Sequence, residues 1–213
     1  MHIRYTARGI LTAFLLGAAA LLAESPDDFF TRASGKMAET TSLRSDFVQT
    51  KRLKAFRKPL KITGELCMDR TGRFAWHVKT PIRYSCVIAE GKLRQWDADT
   101  GKNLTLDVDS NPGLQYLARS LAGFFSGDFT EMKKDFEAVS VSDDGLSGEM
   151  RPRSGVPAAS FIRSIRFFFE DDSLAALRRV VIDECSGDET DIEFLSSVRN
   201  QPVPEEKWRP DGN

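Results

Sequence analysis

From Leu60 onward, apolar and polar residues alternate with a period of two. Leu60, Ile62, Leu66 and Met68 stand against Lys61, Thr63, Glu65 and Asp69, the pattern of a strand with one polar face. Thr71–Gly72 supplies a turn, after which Phe74, Trp76 and Val78 resume the alternation against Arg73, His77 and Lys79. Thr80–Pro81, Glu90–Gly91 and Thr100–Gly101 then punctuate short strands at Tyr84–Ala89, Leu93–Asp97 and Asn103–Val108. Short strands joined by tight turns read as an antiparallel meander.

Two stretches follow a helical period instead. Ser25 to about Thr41 has Ser25 as a cap, Pro26 in the first turn, and Asp27 and Asp28 where the helix dipole favours acid. Its Phe29, Phe30, Ala33 and Met37 fall on one side. Pro112 to Phe125, capped by Asn111, places Leu114, Leu117, Ala118, Leu121 and Phe125 at helical spacing. A shorter helix is predicted from Phe129 to Phe136, with Asp128 as its cap. Strands resume at Ala138–Ser142, Leu146–Arg151, Phe161–Glu170, Ala176–Glu184 and Glu189–Ser196, and the proline-bearing tail from Asn200 reads as extended. The fold class is therefore α+β, with a single antiparallel sheet of roughly ten or more strands, large enough to curl around something.

Residues 1–23 read as a secretory leader: Arg4 and Arg8 precede the uncharged run Ile10 to Leu22, and cleavage is expected after Ala23. Residues 24–213 then form the mature domain, exported and periplasmic if the cell has two membranes. Export changes how the three cysteines, Cys67, Cys86 and Cys185, are read. A disulfide scaffold would carry more of them, in an even number, and no CxxC occurs, so all three are taken as structural, with one bridge or none.

Composition narrows the function classes. Lys and Arg number 30 against 31 Asp and Glu, a net charge of −1 that gives no reason to expect a nucleic-acid partner. Histidine is confined to His2 and His77, which disfavours histidine catalysis and a multi-histidine metal site. No GxSxG motif or glycine-rich phosphate loop is present, and His77 falls on the polar face of its strand, where an exposed position is expected. The reading is not an enzyme, and no cofactor or metal is implied. Lys51, Arg52, Lys54, Arg57, Lys58 and Lys61 form a local basic cluster, read as a solvated hairpin tip or as a docking patch for an acidic partner or lipid headgroups. The apolar inventory suggests either an ordinary core or a ligand cavity, and a helix inserted into a meander could serve as a plug or a lid.

Several segments resemble the periplasmic outer-membrane lipoprotein carriers, the LolA family. These are Phe47–Val48–Gln49, Gly64–Glu65–Leu66, the hairpin from Arg70 through Thr71, Gly72, Arg73, Phe74 and Ala75 to Trp76, Pro81, and Val87 to Lys92 with Trp96. Later echoes run from Gly127–Asp128 to Phe136 and from Gly187–Asp188–Glu189–Thr190 into Ile192–Glu193–Phe194. The resemblance implies an unclosed half β-barrel with an N-terminal helix and a helical lid over its concave face. It implies an acyl-chain cavity and lid built from Leu66, Phe74, Trp76, Ile88, Trp96, Leu114, Leu117, Leu121 and Phe125. It also implies that Arg70, at the hairpin, hydrogen-bonds to the lid as a latch. Thr71–Gly72 stands where the family has a proline after the arginine. The implied cargo is an acylated lipoprotein, received from an inner-membrane ABC transporter and passed to an outer-membrane acceptor by a monomeric carrier. Another amphiphile, such as a polyene lipid or glycolipid, or a sensor or protein-interaction module on the same scaffold, are the alternatives.

Overall fold

A computed structural model describes residues 24–210; the expected leader over residues 1–23 lies outside the described residues, as do the side chains of 116, 117, 120–122, 124 and 125. Helix α1 (Pro26–Met37) leads into β1 (Ser42–Arg52), β2 (Leu60–Asp69), β3 (Phe74–Thr80), β4 (Tyr84–Ala89), β5 (Lys92–Asp97) and β6 (Asn103–Asp107). Helices α2 (Pro112–Ser126) and α3 (Phe129–Met132) follow. The chain then returns through β7 (Phe136–Val141), β8 (Ser147–Pro152), β9 (Ile162–Phe169), β10 (Leu177–Glu184) and β11 (Glu189–Arg199).

All eleven strands join one antiparallel sheet in the order β6-β5-β4-β3-β2-β1-β11-β10-β9-β8-β7. Two meanders are thus stitched together by the pairing of β1 with β11, where Phe47 faces Phe194 and Gln49 faces Ile192. The edge strands β6 and β7 do not pair with each other, so the sheet is an unclosed barrel.

Helix α1 forms where its caps dictate: the Ser25 hydroxyl accepts the Asp28 amide at 3.1 Å, with Pro26 at the first position. It ends at Met37, four residues short of the predicted limit, because Thr41 is claimed by the Asn200 side chain (2.7 Å) and Ser42 opens β1. Its apolar side docks on the second meander. Phe29 and Phe30 are fully buried, at right angles to one another, and meet Phe169 and Phe167 at 5.7 and 5.8 Å between ring centroids. Phe129 of α3 completes the cluster, 5.0 Å from Phe30. Gly148 of β8 makes room: a Cβ there would lie 2.7 Å from the Phe30 ring. Helix α3 is shorter than the predicted stretch from Phe129 to Phe136, since Phe136 pairs with Pro152 at the start of β7 and turns into the core.

Parity along the strands sorts the two faces. Phe74, Trp76, Tyr84, Cys86 and Leu93 face inward, while Ala75, His77, Ser85, Val87 and Trp96 face outward. The outer face of β2–β4 is covered by the tail, which forms a short 3₁₀ turn (Glu205–Trp208) where an extended run was predicted. Trp208, 5% exposed, packs on Cys67, Ala75, Val87 and Ala89, with the Arg73 guanidinium 4.4 Å over its ring. His77 is consequently buried, not exposed as expected, because tail docking is a long-range contact that strand alternation does not register. Its Nε2–H donates to the Lys207 carbonyl at 2.8 Å, which leaves Nδ1 to accept from the Ser85 hydroxyl at 3.0 Å.

That arrangement suits a neutral imidazole, and burial pushes the His77 pKa down against the opposing pull of the Lys207 carbonyl. Charging His77 therefore costs more in the folded chain than in the unfolded one. Stability should be constant above about pH 6.5 and fall as the pH drops below it. Burial works to raise the Asp191 carboxyl, but Arg179 (2.8 Å to each oxygen) and Arg52 outweigh it and hold it low, so its loss comes only below about pH 4. Urea midpoints at about pH 7.5 and about pH 5.5 should differ in the native chain and converge in His77→Gln. An equal slope in both would place the sensitivity elsewhere.

Candidate functional site

Inside the curl lies a cavity of about 720 Å³. Its first wall is Phe74 and Trp76 of β3 with Tyr84 and Cys86 of β4. Its second is Ile162 and Ile165 of β9, Ile182 of β10 and Ile192 of β11. Ile162 and Ile165 share a face despite their odd spacing because the β9–β10 register slips between Asp183 and Glu184. Met132 and Phe136 close the cavity on the helical side, together with Arg119 and Gly123 of α2 and the charged trio Glu131, Lys134 and Asp135. Apolar walls with charge confined to one border match a site for an amphiphile, and the volume lies within the roughly 300–1,000 Å³ of small-molecule sites.

The floor is rigid. Phe47 stacks on Trp76 with 3.8 Å between centroids and 21° between planes. Gly64, between them on β2, permits this: a Cβ there would fall 2.2 Å from the His77 carbonyl and 2.4 Å from the Phe47 ring. Burial pushes the Tyr84 hydroxyl up to about 12 and raises the Cys86 thiol, so the sheet walls are uncharged at neutral pH. The three thiols are unpaired: Cys67 faces the tail, with burial pushing its pKa up to about 12, Cys86 faces the cavity and Cys185 is exposed. Among the described residues no group of His, Cys, Asp and Glu is placed to hold a metal ion.

Of the residues expected at the cavity, Phe74 and Trp76 line it. Ile88 is in the core beside it, and Leu66 lines a separate cavity of about 30 Å³ near the end of α1. Leu114 packs half-buried against the core. The side chains of Leu117, Leu121 and Phe125 lie outside the described residues, although their backbone is within α2. Trp96 is placed on the opposite face, in an outer cleft with Glu65, His77, Lys79 and Lys207, where Arg83 covers its ring at 5.3 Å. Leu93, an odd number of residues earlier on β5, is the one that turns inward. The Arg70 guanidinium donates to the Ala38 carbonyl at the C-terminal end of α1 (3.3 Å), and its amide donates to Thr41 (3.0 Å). The latch position thus reaches the N-terminal helix, which is itself tied to the end of α2 by the Ser34 hydroxyl donating to the Gly127 carbonyl at 3.0 Å. Sequence reasoning did not single out the isoleucine wall, Tyr84 or Cys86, although all but Ile162, which the β9 register slip turns inward, follow the inward parity of their strands.

The decisive finding is that the family described as outer membrane lipoprotein carrier protein LolA matches residues 38–211. The chain belongs to the LolA family. A LolA relative in Pseudomonas fluorescens, an outer-membrane lipoprotein carrier protein, is 21% identical over 92% of this chain and 90% of its own length. Among solved structures, an uncharacterised conserved protein from Thermus thermophilus superimposes with a TM-score of 0.52 at 10% identity, covering 87% of this chain and 94% of that one. The Pseudomonas aeruginosa MucA/MucB complex gives 0.50 at 13% identity, covering 86% of this chain, which spans 60% of that one. Both likenesses concern the fold. Within LolA terms, β1 through β11 form the unclosed barrel, and α1 to α3 are the helices on its concave side.

Proposed function

We propose that this protein is a non-enzymatic periplasmic carrier whose cavity takes up the acyl chains of a lipoprotein. The observation that carries the reading is the cavity with uncharged isoleucine and aromatic sheet walls inside an unclosed barrel of the LolA family. Acyl chains moving from a bilayer into such a cavity exchange one apolar environment for another, so transfer needs little driving force. Shielding is the essential service, since each methylene left in water costs about 0.8 kcal/mol. By the family resemblance, the donor is an inner-membrane ABC transporter and the receiver an outer-membrane acceptor, with the carrier working as a monomer. The His77–Ser85 pair is buried on the outer side of the sheet and does not line the cavity.

Native mass spectrometry of the protein purified from periplasm, followed by extraction of the adduct, tests the cargo. A lipoprotein adduct is expected. A bound polyene or glycolipid would keep the cavity and replace the cargo. An apo mass that persists after addition of a triacylated lipopeptide would sink the carrier reading in favour of a protein-interaction module.

Arg70 is assigned a latch role at the junction of α1 with β1. Its single exposed hydrogen bond to Ala38 is worth about 1 kcal/mol net, so Arg70→Leu should lower stability by no more than that. Transfer of bound lipopeptide to acceptor vesicles should change in rate, because the α1 end loses a restraint. Transfer at the native rate would remove Arg70 from the mechanism.

A further inference from the structure

Four of the seven most exposed large apolar side chains among the described residues gather at one end of the barrel: Phe56 (66%), Leu60 (43%), Ile82 (50%) and Phe161 (72%). The loops that bear them are joined. Lys51 pairs with Glu184 at 3.4 Å, the Lys54 amide donates to Asp188 at 2.8 Å, and the Cys185 amide donates to the Phe161 carbonyl at 2.8 Å. The Thr63 and Thr80 hydroxyls, 2.7 Å apart, tie the β1–β2 hairpin to the turn carrying Ile82. The cavity reaches this end, since its lining residues Tyr84 and Ile162 are the first residues of β4 and β9, just after Ile82 and Phe161.

Charge around Phe56 and Leu60 is lopsided. Glu184 and Glu189 are engaged by Lys51 and Arg52, and the Asp188 carboxylate accepts the Lys54 amide. Arg57, Lys58 and Lys61, around Phe56 and Leu60, have no carboxylate partner among the described residues. An exposed phenylalanine flanked by unpaired cations fits the interface of an anionic bilayer, with the ring at the headgroup level and the charges on the phosphates.

We infer that this rim is a membrane-contacting surface for anionic phospholipid, which brings the cavity mouth down onto a bilayer. The inference rests on the carrier reading for its purpose, since a mouth seated on the bilayer lets acyl chains pass without crossing water. Its geometry and charge are independent of that reading.

The test is co-sedimentation of the mature protein purified from periplasm with vesicles of phosphatidylglycerol and phosphatidylcholine in equal parts, against phosphatidylcholine alone, run beside uptake of a fluorescent fatty acid from solution. Binding to the anionic vesicles is expected and should weaken with salt. Each basic residue near such a surface contributes about fivefold in affinity, so the triple variant Arg57→Ser, Lys58→Ser, Lys61→Ser should lose roughly 100-fold. Its fatty-acid uptake should match the native protein, as none of the three lines the cavity. Phe56→Ser with Phe161→Ser should remove the binding that survives high salt. No preference for the anionic vesicles, or a triple variant binding within twofold of native, with uptake intact, would overturn the membrane assignment alone and give the rim to a protein partner. Vesicle binding without fatty-acid uptake would uphold the rim while removing the carrier reading.

Discussion

Ile182→Glu is expected to weaken binding of an acyl chain by about 100-fold while leaving the fold intact. Ile182 stands half-buried on β10, directed into the cavity between Ile165 and Ile192 on the neighbouring strands. A carboxylate there has no cationic neighbour on the sheet wall and must keep its water, which denies that stretch of wall to an alkyl chain. Losing contact with three or four methylenes, at about 0.8 kcal/mol each, gives the hundredfold figure. Because the cavity already admits solvent, the unliganded protein can hydrate the new charge, so the urea midpoint should move little. Ile182→Val is the matched control and should bind within a few-fold of native. Equal binding of a fluorescent fatty acid by Ile182→Glu would show that the chain lies elsewhere.

Phe30→Ala should cost about 3–5 kcal/mol of stability, the range for deleting a buried aromatic ring. Phe30 is fully buried and touches Phe29, Phe129 and Phe167 edge-on, so its removal strips contacts from α1, α3 and β9 together. The consequence reaches the cavity, because Met132 on α3 and Phe136 just beyond it form part of its border. Chemical denaturation gives the size of the loss, and fatty-acid binding below the transition shows whether the border has loosened. A loss under about 1 kcal/mol would mean that the helices are held by something other than this cluster.

Much of the architecture was readable because antiparallel meanders encode themselves locally. The alternation from Leu60 to Asp107 and the turns at Gly72, Gly91 and Gly101, all with positive φ, mark strand after strand without knowledge of distant residues. Ser25 and Asn111 announce their helices in the same way, each accepting amides of the first turn. What escaped depends on contacts between distant segments. His77 carries the parity of a polar face, yet Lys207 and Trp208 return across more than a hundred residues to bury it. The second wall, Ile162, Ile165, Ile182 and Ile192, faces the first only because β1 pairs with β11. Trp96 is different: its odd spacing from the inward Leu93 on the same strand already sets it on the outer face, away from the cavity that the family resemblance implied for it.

The most direct test of the central claim uses Cys86, whose thiol lies in the cavity wall while Cys67 is buried beneath the tail. In a Cys185→Ser background, alkylation of Cys86 at mildly alkaline pH can be followed by intact mass as a triacylated lipopeptide is added. If the cavity holds acyl chains, the lipopeptide slows alkylation in proportion to its occupancy and the same peptide without acyl chains does not. Bound lipopeptide with Cys86 alkylated at the unprotected rate would contradict the account.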